Sequence, residues 1–339
     1  MECPKRMVYG PCGGVRHDGG CEMVAAPCVF RDLTAAPRWD LPVAGVRTAP
    51  TPLVLTDLSV PPADAATLTA TARTLAPSCD ALLVGDHQDR PDFPPSMLAR
   101  MVADAGGRPW VTLACRDRNG VVLETELRGL REDNLATVLC VTGDGRAFDV
   151  RPDVTQAFDL DGTRLAGRAA ALGLPVAVVE TPTARPVGVR PRRLVQKQRA
   201  GAGIAVLNHV RVADQVAAFM AAARQAGLAI PVVASVAVYT DPRSAAVLTG
   251  LPGLEINPDT VNAVLAAPDP VAAGIDAAVR EALALLAVDG VVGVNLSGMA
   301  SARGTAYAAA VQAEIWQRIR AAVRSETPRT GADGMVRDA

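Results

Sequence analysis

The chain has 339 residues, half of them apolar, enough to bury a large core; one large domain with a small appendage is the natural count. A formal net charge of −1 argues against nucleic acid or an anionic membrane surface as a partner. No apolar run approaches the roughly 20 residues of a membrane span, and the N-terminus is polar rather than signal-like, so a soluble, cytoplasmic protein is expected.

The first 32 residues hold four of the seven cysteines, Cys3, Cys12, Cys21 and Cys28, in a C-x8-C-x8-C-x6-C spacing. In a reducing compartment clustered thiols are metal ligands more often than disulfides. Four thiolates suit tetrahedral zinc or an iron–sulfur cluster, although without a C-x2-C pair this is no ordinary zinc ribbon. The segment has too few apolar residues to form its own core, so a metal would stabilise it. His17 reads as a solvated loop histidine. Residues 33–51, with Pro37, Pro42 and Pro50, read as a linker.

From residue 52 onward short β-rich runs alternate with longer helical ones. The predicted strands are 52–58, 80–85, 110–115, 136–142, 175–180, 203–208, 230–238 and 290–296. Helix-compatible stretches include 63–75, 166–172, 213–226 and 305–323, with a longer helical excursion at 257–287. Eight such repeats over 52–323 predict a (β/α)8 TIM barrel. A doubly wound sheet is the alternative, but the first strand runs into Ser59 and the Pro61-Pro62 pair instead of a glycine-rich dinucleotide turn. Residues 324–339 read as a disordered tail.

Barrel chemistry sits at the C-terminal ends of the strands. That singles out Asp57, Asp86, His87, Cys115, Arg116, Gly143, Asp144, Glu180, Asn208, His209 and 295–299. Cys79, Cys115 and Cys140 read as packing residues. Of 34 basic residues only Lys5 and Lys197 are lysines. Lys197 lies in a helix opened by Arg190, Arg192 and Arg193, three cations where the helix dipole disfavours them by a few tenths of a kcal/mol each; a bound phosphate would offset this.

The N-terminal wording, CPKRMVYGPCGGVRHDGGCEM followed by CVF, closely resembles the cysteine-rich module found with methylenetetrahydrofolate reductases, usually at their C-terminal side and here placed first. The barrel resembles the same family more faintly. The fourth predicted strand ends in Thr142-Gly143-Asp144, similar to an Arg-Gly-Asp. The Lys197 segment resembles a Lys-x-x-Ala-Gly-Ala motif. Pro61-Pro62 resembles the end of a Glu-x-x-Pro-Pro.

The resemblance implies reduction of 5,10-methylenetetrahydrofolate to 5-methyltetrahydrofolate by NAD(P)H, directly or through FAD or FMN. It implies Asp144 beside the cationic iminium and Asp57 as general acid, one residue before the family position, which here is Leu58. A one-residue shift in a strand turns a side chain to the other face unless a bulge restores it, and the acid would need a raised pKa. Glu180 is the substitute acid or a cofactor-side contact. Lys197, with Gly143 and Arg193, is expected toward the cofactor, and Asn208 and His87 toward the folate. The tyrosine and histidine that such enzymes place around a flavin after the fifth strand are missing. The partners expected are a tetrahydrofolate derivative and either another copy of the chain or a partner reductase subunit. A non-catalytic scaffold or electron-transfer subunit, and a folate-dependent methyltransferase acting with a corrinoid protein, stand as alternatives.

Overall fold

A computed structural model describes residues 2–42, 46–87, 89–146, 151–251 and 253–326. Eight parallel strands close into a barrel in sequential order: β1 Val54–Asp57, β2 Ala81–Val84, β3 Pro109–Ala114, β4 Thr137–Val141, β5 Val176–Glu180, β6 Ile204–Leu207, β7 Val232–Val238 and β8 Val291–Gly298. The expected TIM barrel is therefore the observed fold. Its helices are α1 Ala65–Leu75, α2 Pro95–Asp104, α3 Gly120–Asp133, α4 Gly162–Ala171, α5 Arg190–Arg199, α6 Ala213–Gln225, α7 Pro242–Gly250, α8 Pro258–Leu265, α9 Pro270–Leu286 and α10 Thr305–Glu326. The predicted excursion before the last strand is the α8–α9 pair. Residues 324–326, expected to be tail, continue α10, while 327–339 lie outside the described residues. No helix among the described residues is long and apolar enough to cross a membrane.

The two faces of each strand explain the sequence pattern. Leu55, Ala81, Leu83, Trp110, Leu139, Ala177, Ile204, Val206 and Val233 fill the lumen, while alternate residues such as Val54, Leu82, Val111 and Val178 pack against the helices. Both faces are dry, so the strands read as nearly unbroken apolar runs. The helix starts are capped by side chains: Asp64, Asn119, Asp161, Asp241, Asn257 and Asp269 each accept from backbone N–H groups of the first turn.

Residues 2–42 contain no helix or strand, only turns and one antiparallel bridge between Gly20 and Pro27. They lie over the C-terminal ends of β4 and β5. Val8 N–H donates to Asp161 Oδ2 at 2.9 Å, so this carboxylate both caps α4 and anchors the segment. Arg6 pairs with Asp159 at 3.0 Å. From α5, Arg190 donates to the carbonyls of Pro11 (3.1 Å) and Cys12 (2.8 Å). The stretch expected to be a free linker is held too. Trp39 packs on Tyr9 with ring centroids 5.0 Å apart, and its backbone N–H donates to Gln196 Oε1 at 2.8 Å. Ala49 then joins the lumen cluster.

Candidate functional site

The ends of β2 through β6, together with Lys5, Cys12 and Gly13 from the N-terminal segment, enclose a cavity of about 250 Å³ at the barrel mouth. Of the residues singled out from the sequence, Asp144, Gly143, Glu180, Arg193, Lys197 and Asn208 line it, as do Asp86 and Arg116. Asp57 and His87 are not among its lining residues.

Asp144 follows the turn at Gly143, whose φ of +89° favours glycine and where a Cβ would stand 3.1 Å from Arg116 Cβ. Burial pushes the Asp144 carboxyl above its usual range, with Lys5 acting against the shift and Glu22 adding to it. Asn208 shares the lumen-facing parity of Ile204 and Val206, and its Nδ2 donates to Thr181 Oγ1 at 2.9 Å.

Lys5, one of only two lysines in the chain, makes a contact that no strand-end pattern points to. Only 2% exposed, it donates from Nζ to Gly143 O at 2.7 Å and to Glu22 Oε1 at 2.6 Å. Gly145 N–H donates to the other Glu22 oxygen at 3.0 Å. Burial would raise the Glu22 pKa, but Lys5 and these hydrogen bonds outweigh it and the carboxyl is held below its usual range. A buried ion pair from the cysteine-rich segment thus rests on the strand-four turn.

Glu180 departs from its expected role. Val179 faces the lumen, so Glu180 faces α5, fully buried, with Arg193 at 2.7 Å, Lys197 at 3.1 Å and Arg190 at 3.4 Å. Burial alone would raise its pKa; the three cations reverse this and hold it at about 2. A carboxylate fixed in its charged form cannot serve as a proton donor near neutral pH. The same cluster corrects the phosphate reading of α5. Arg193 and Lys197 are committed to Glu180, Lys197 also donates to Val179 O, and Arg190 is spent on Glu180 and the segment's carbonyls. An internal anion, rather than a phosphate, offsets the unfavourable first turn. Burial and Arg193 lower the Lys197 pKa to about 7, against the pull of Glu180.

Asp57 keeps the lumen-facing parity of Leu55, whereas Leu58, at the family position, packs in the outer cluster. The one-residue shift therefore places the carboxyl inside rather than losing it. Asn295 Nδ2 donates to Asp57 Oδ1 at 3.0 Å, and burial raises the carboxyl to about 6 against hydrogen bonds from Asn295 and Ser297. His87, on the loop after β2, has Nε2 at 3.5 Å from Asp92 Oδ2 and lines a neighbouring pocket of about 230 Å³. His209 is buried and held neutral, its pKa lowered by burial to about 4.

The four N-terminal cysteines all line one small cavity of about 20 Å³, shared with Lys5 and Glu22. As a donor set, four thiols on one cavity suit a thiophilic ion. The set is not closed: among the described residues no three His, Cys, Asp or Glu side chains are gathered to hold a metal, and Cys12 Sγ instead donates to Glu22 Oε1 at 3.1 Å.

A second cavity, about 300 Å³, lies outside the lumen where β6 ends and β7 continues. There Glu281 of α9 accepts from Ala237 N–H at 3.2 Å. Burial, with no cation to oppose it, raises this carboxyl to about 8.

No curated protein matches the sequence. Among solved structures, an uncharacterized protein from Clostridium thermocellum, described as binding two copies of 5-methyl-5,6,7,8-tetrahydrofolic acid, superposes with a TM-score of 0.55 at 11% identity, over 78% of this chain and 95% of that one. At that identity the likeness concerns the fold alone. Tryptophan synthase from M. tuberculosis follows at a TM-score of 0.44 and 14% identity, over 79% and 93% of the two chains, too distant to carry an argument. Residues 1–38 match the family model described as "Methylene-tetrahydrofolate reductase C terminal", so the expected resemblance holds for this segment, a module of that family set in front of a (β/α)8 barrel.

Proposed function

We propose that the barrel mouth binds a reduced folate and that the protein reduces 5,10-methylenetetrahydrofolate to 5-methyltetrahydrofolate. One observation carries this reading: the segment matched to the reductase family forms a wall of the same cavity that holds Asp144 and Asn208. The fold likeness to a protein described as binding 5-methyltetrahydrofolate supports it.

In this reading Asp144, nearly enclosed and across from Lys5, faces the cationic form of the opened methylene bridge, where a carboxylate in a dry site is worth most. Asn208 offers an amide to the pterin edge. Asp57, raised to about 6, is the proton source for the folate nitrogen that is released; this role requires the ligand to extend across the lumen from β4 to β1. A nicotinamide cofactor would supply the hydride. For a flavin the residues fit poorly. Lys197 and Arg193 are neutralised by Glu180, and the segment after β5 offers no aromatic ring, so no step is assigned to one.

As a donor set the thiol cavity suits a structural zinc ion, which Cys3, Cys12, Cys21 and Cys28 would hold once the four thiols close together and Cys12 is released from Glu22. The scaffold reading is favoured by one fact, that Asp57 does not line the cavity with Asp144.

The two separate in one assay, the oxidation of NADH or NADPH on adding 5,10-methylenetetrahydrofolate to the purified chain. Turnover that falls roughly 10²-fold in Asp144→Asn, with folate binding retained, supports the reductase. Folate binding with no turnover from either donor leaves the scaffold.

A further inference from the structure

Two cavities of different chemistry share a wall. The thiol cavity is lined by the four cysteines; the barrel-mouth cavity is lined by Asp144 and Asn208. Lys5 and Cys12 line both. Behind them Glu22 joins the two sides: Oε1 accepts from Cys12 Sγ and from Lys5 Nζ, and Oε2 accepts from Gly145 N–H, one residue beyond Asp144. Lys5 in turn holds Gly143 O, one residue before Asp144. The turn carrying Asp144 is thus gripped on one side by Lys5 and on the other by Glu22, and Glu22 alone also takes a thiol, Cys12, as partner.

An ammonium has three N–H donors, and Glu22 and Gly143 occupy two of those on Lys5. Its Nζ also lies 5.5 Å from the Phe158 ring centroid, and Lys5 lines the barrel-mouth cavity, where a ligand acceptor would compete with that ring for the third.

We propose that the Lys5–Glu22–Cys12 cluster couples the thiol cavity to the ligand site, with Lys5 as a ligand-contacting residue supplied by the cysteine-rich segment. Cys12 would be one of the thiols to hold a thiophilic divalent cation; as a thiolate ligand it would give its proton to solvent and no longer donate to Glu22. Glu22 then keeps only Lys5 and Gly145, and the turn around Asp144 resets. Coupling between sites is reciprocal: a ligand in the barrel mouth changes the affinity of the thiols for the ion by the same factor.

The choice of folate as probe rests on the function proposed above; the coupling itself does not. The full chain is titrated with 5-methyltetrahydrofolate, with and without one equivalent of Zn²⁺, and hydrogen exchange at the Gly145 amide is followed over the zinc titration. Zinc should change folate affinity fivefold or more, within the usual range for coupled sites, and change Gly145 exchange. Lys5→Met should weaken folate binding and abolish the coupling while zinc still binds. If that variant does not fold, Glu22→Gln, which keeps an acceptor for Gly145, should show the same loss of coupling.

Failure of folate to bind in any state, with Gly145 exchange still responding to zinc, overturns the folate reading and supports the coupling. Equal folate affinity with and without zinc, no response at Gly145, or no zinc uptake by the thiols overturns the coupling.

Discussion

Two places in the barrel treat enclosed carboxyls in opposite ways. Under the cysteine-rich segment, Glu180 is enclosed with Arg190, Arg193 and Lys197 and is held at about 2. Across the barrel, Asp57 on β1 and Glu281 on α9, half-buried, have no cation paired with their carboxyls and are raised to about 6 and about 8. Burial acts in the same direction on all three; the number of buried cations decides the sign. The first is a fixed ionic clamp that fastens α5 to β5 and to the segment's carbonyls. The second is a place where protons can be held near neutral pH.

The largest effect should come from dismantling the clamp. Glu180→Gln leaves three cations without their anion in a dry site, at a cost of roughly 3–5 kcal/mol in denaturant unfolding at pH 7. Because the folded pKa is depressed, the Glu180 contribution is fully present above the unfolded value of about 4.5 and is lost as pH falls from there toward about 2. A variant as stable as the parent at pH 7 would show that the clamp is not what holds this side.

Glu281→Gln should do the opposite. It keeps an acceptor for Ala237 N–H and removes a group that prefers to be protonated when folded. The folded state retains a proton that the unfolded chain releases between about pH 4.5 and 8, so the parent loses stability as pH rises across that window. The variant's melting temperature should exceed the parent's by about 3 °C or more at pH 8 and match it near pH 4. Equal melting temperatures at pH 8 would break the contrast between the two places.

Asp57→Asn should show the same sign on a smaller scale, a gain of about 1 kcal/mol above pH 6 that fades toward pH 4, because its raised pKa spans a narrower window. If the Asp57 role proposed above holds, this gain in stability comes with a loss of turnover, the usual exchange at a strained functional carboxyl.

Much of this was legible before any coordinates. Dry parallel strands leave unbroken apolar runs, and their spacing predicts the barrel and places Asp144 and Asn208 at strand ends. The cysteine run names its segment through its wording, which resembles the reductase-family module. Glu180 departs from the expected substitute acid for a reason of parity: at a strand end, a residue looks equally available to the lumen and to the helix layer. Only the register, with Val179 inward, turns it toward α5. The three first-turn arginines of α5 call for an anion, but that two of them, Arg190 and Arg193, find it in the side chain of Glu180 depends on a partner ten or more residues away.

The sequence by itself determined the periodicities, and with them the (β/α)8 barrel, its capped helices and the identity of the N-terminal segment, because these depend on local pattern and composition. Tertiary structure alone decided where that segment sits, that Lys5 reaches the turn before Asp144, and which carboxyls are charged. Those outcomes depend on burial and on pairs such as Lys5 with Gly143, 138 residues apart, whose Coulomb and desolvation terms exist only once the chain has closed.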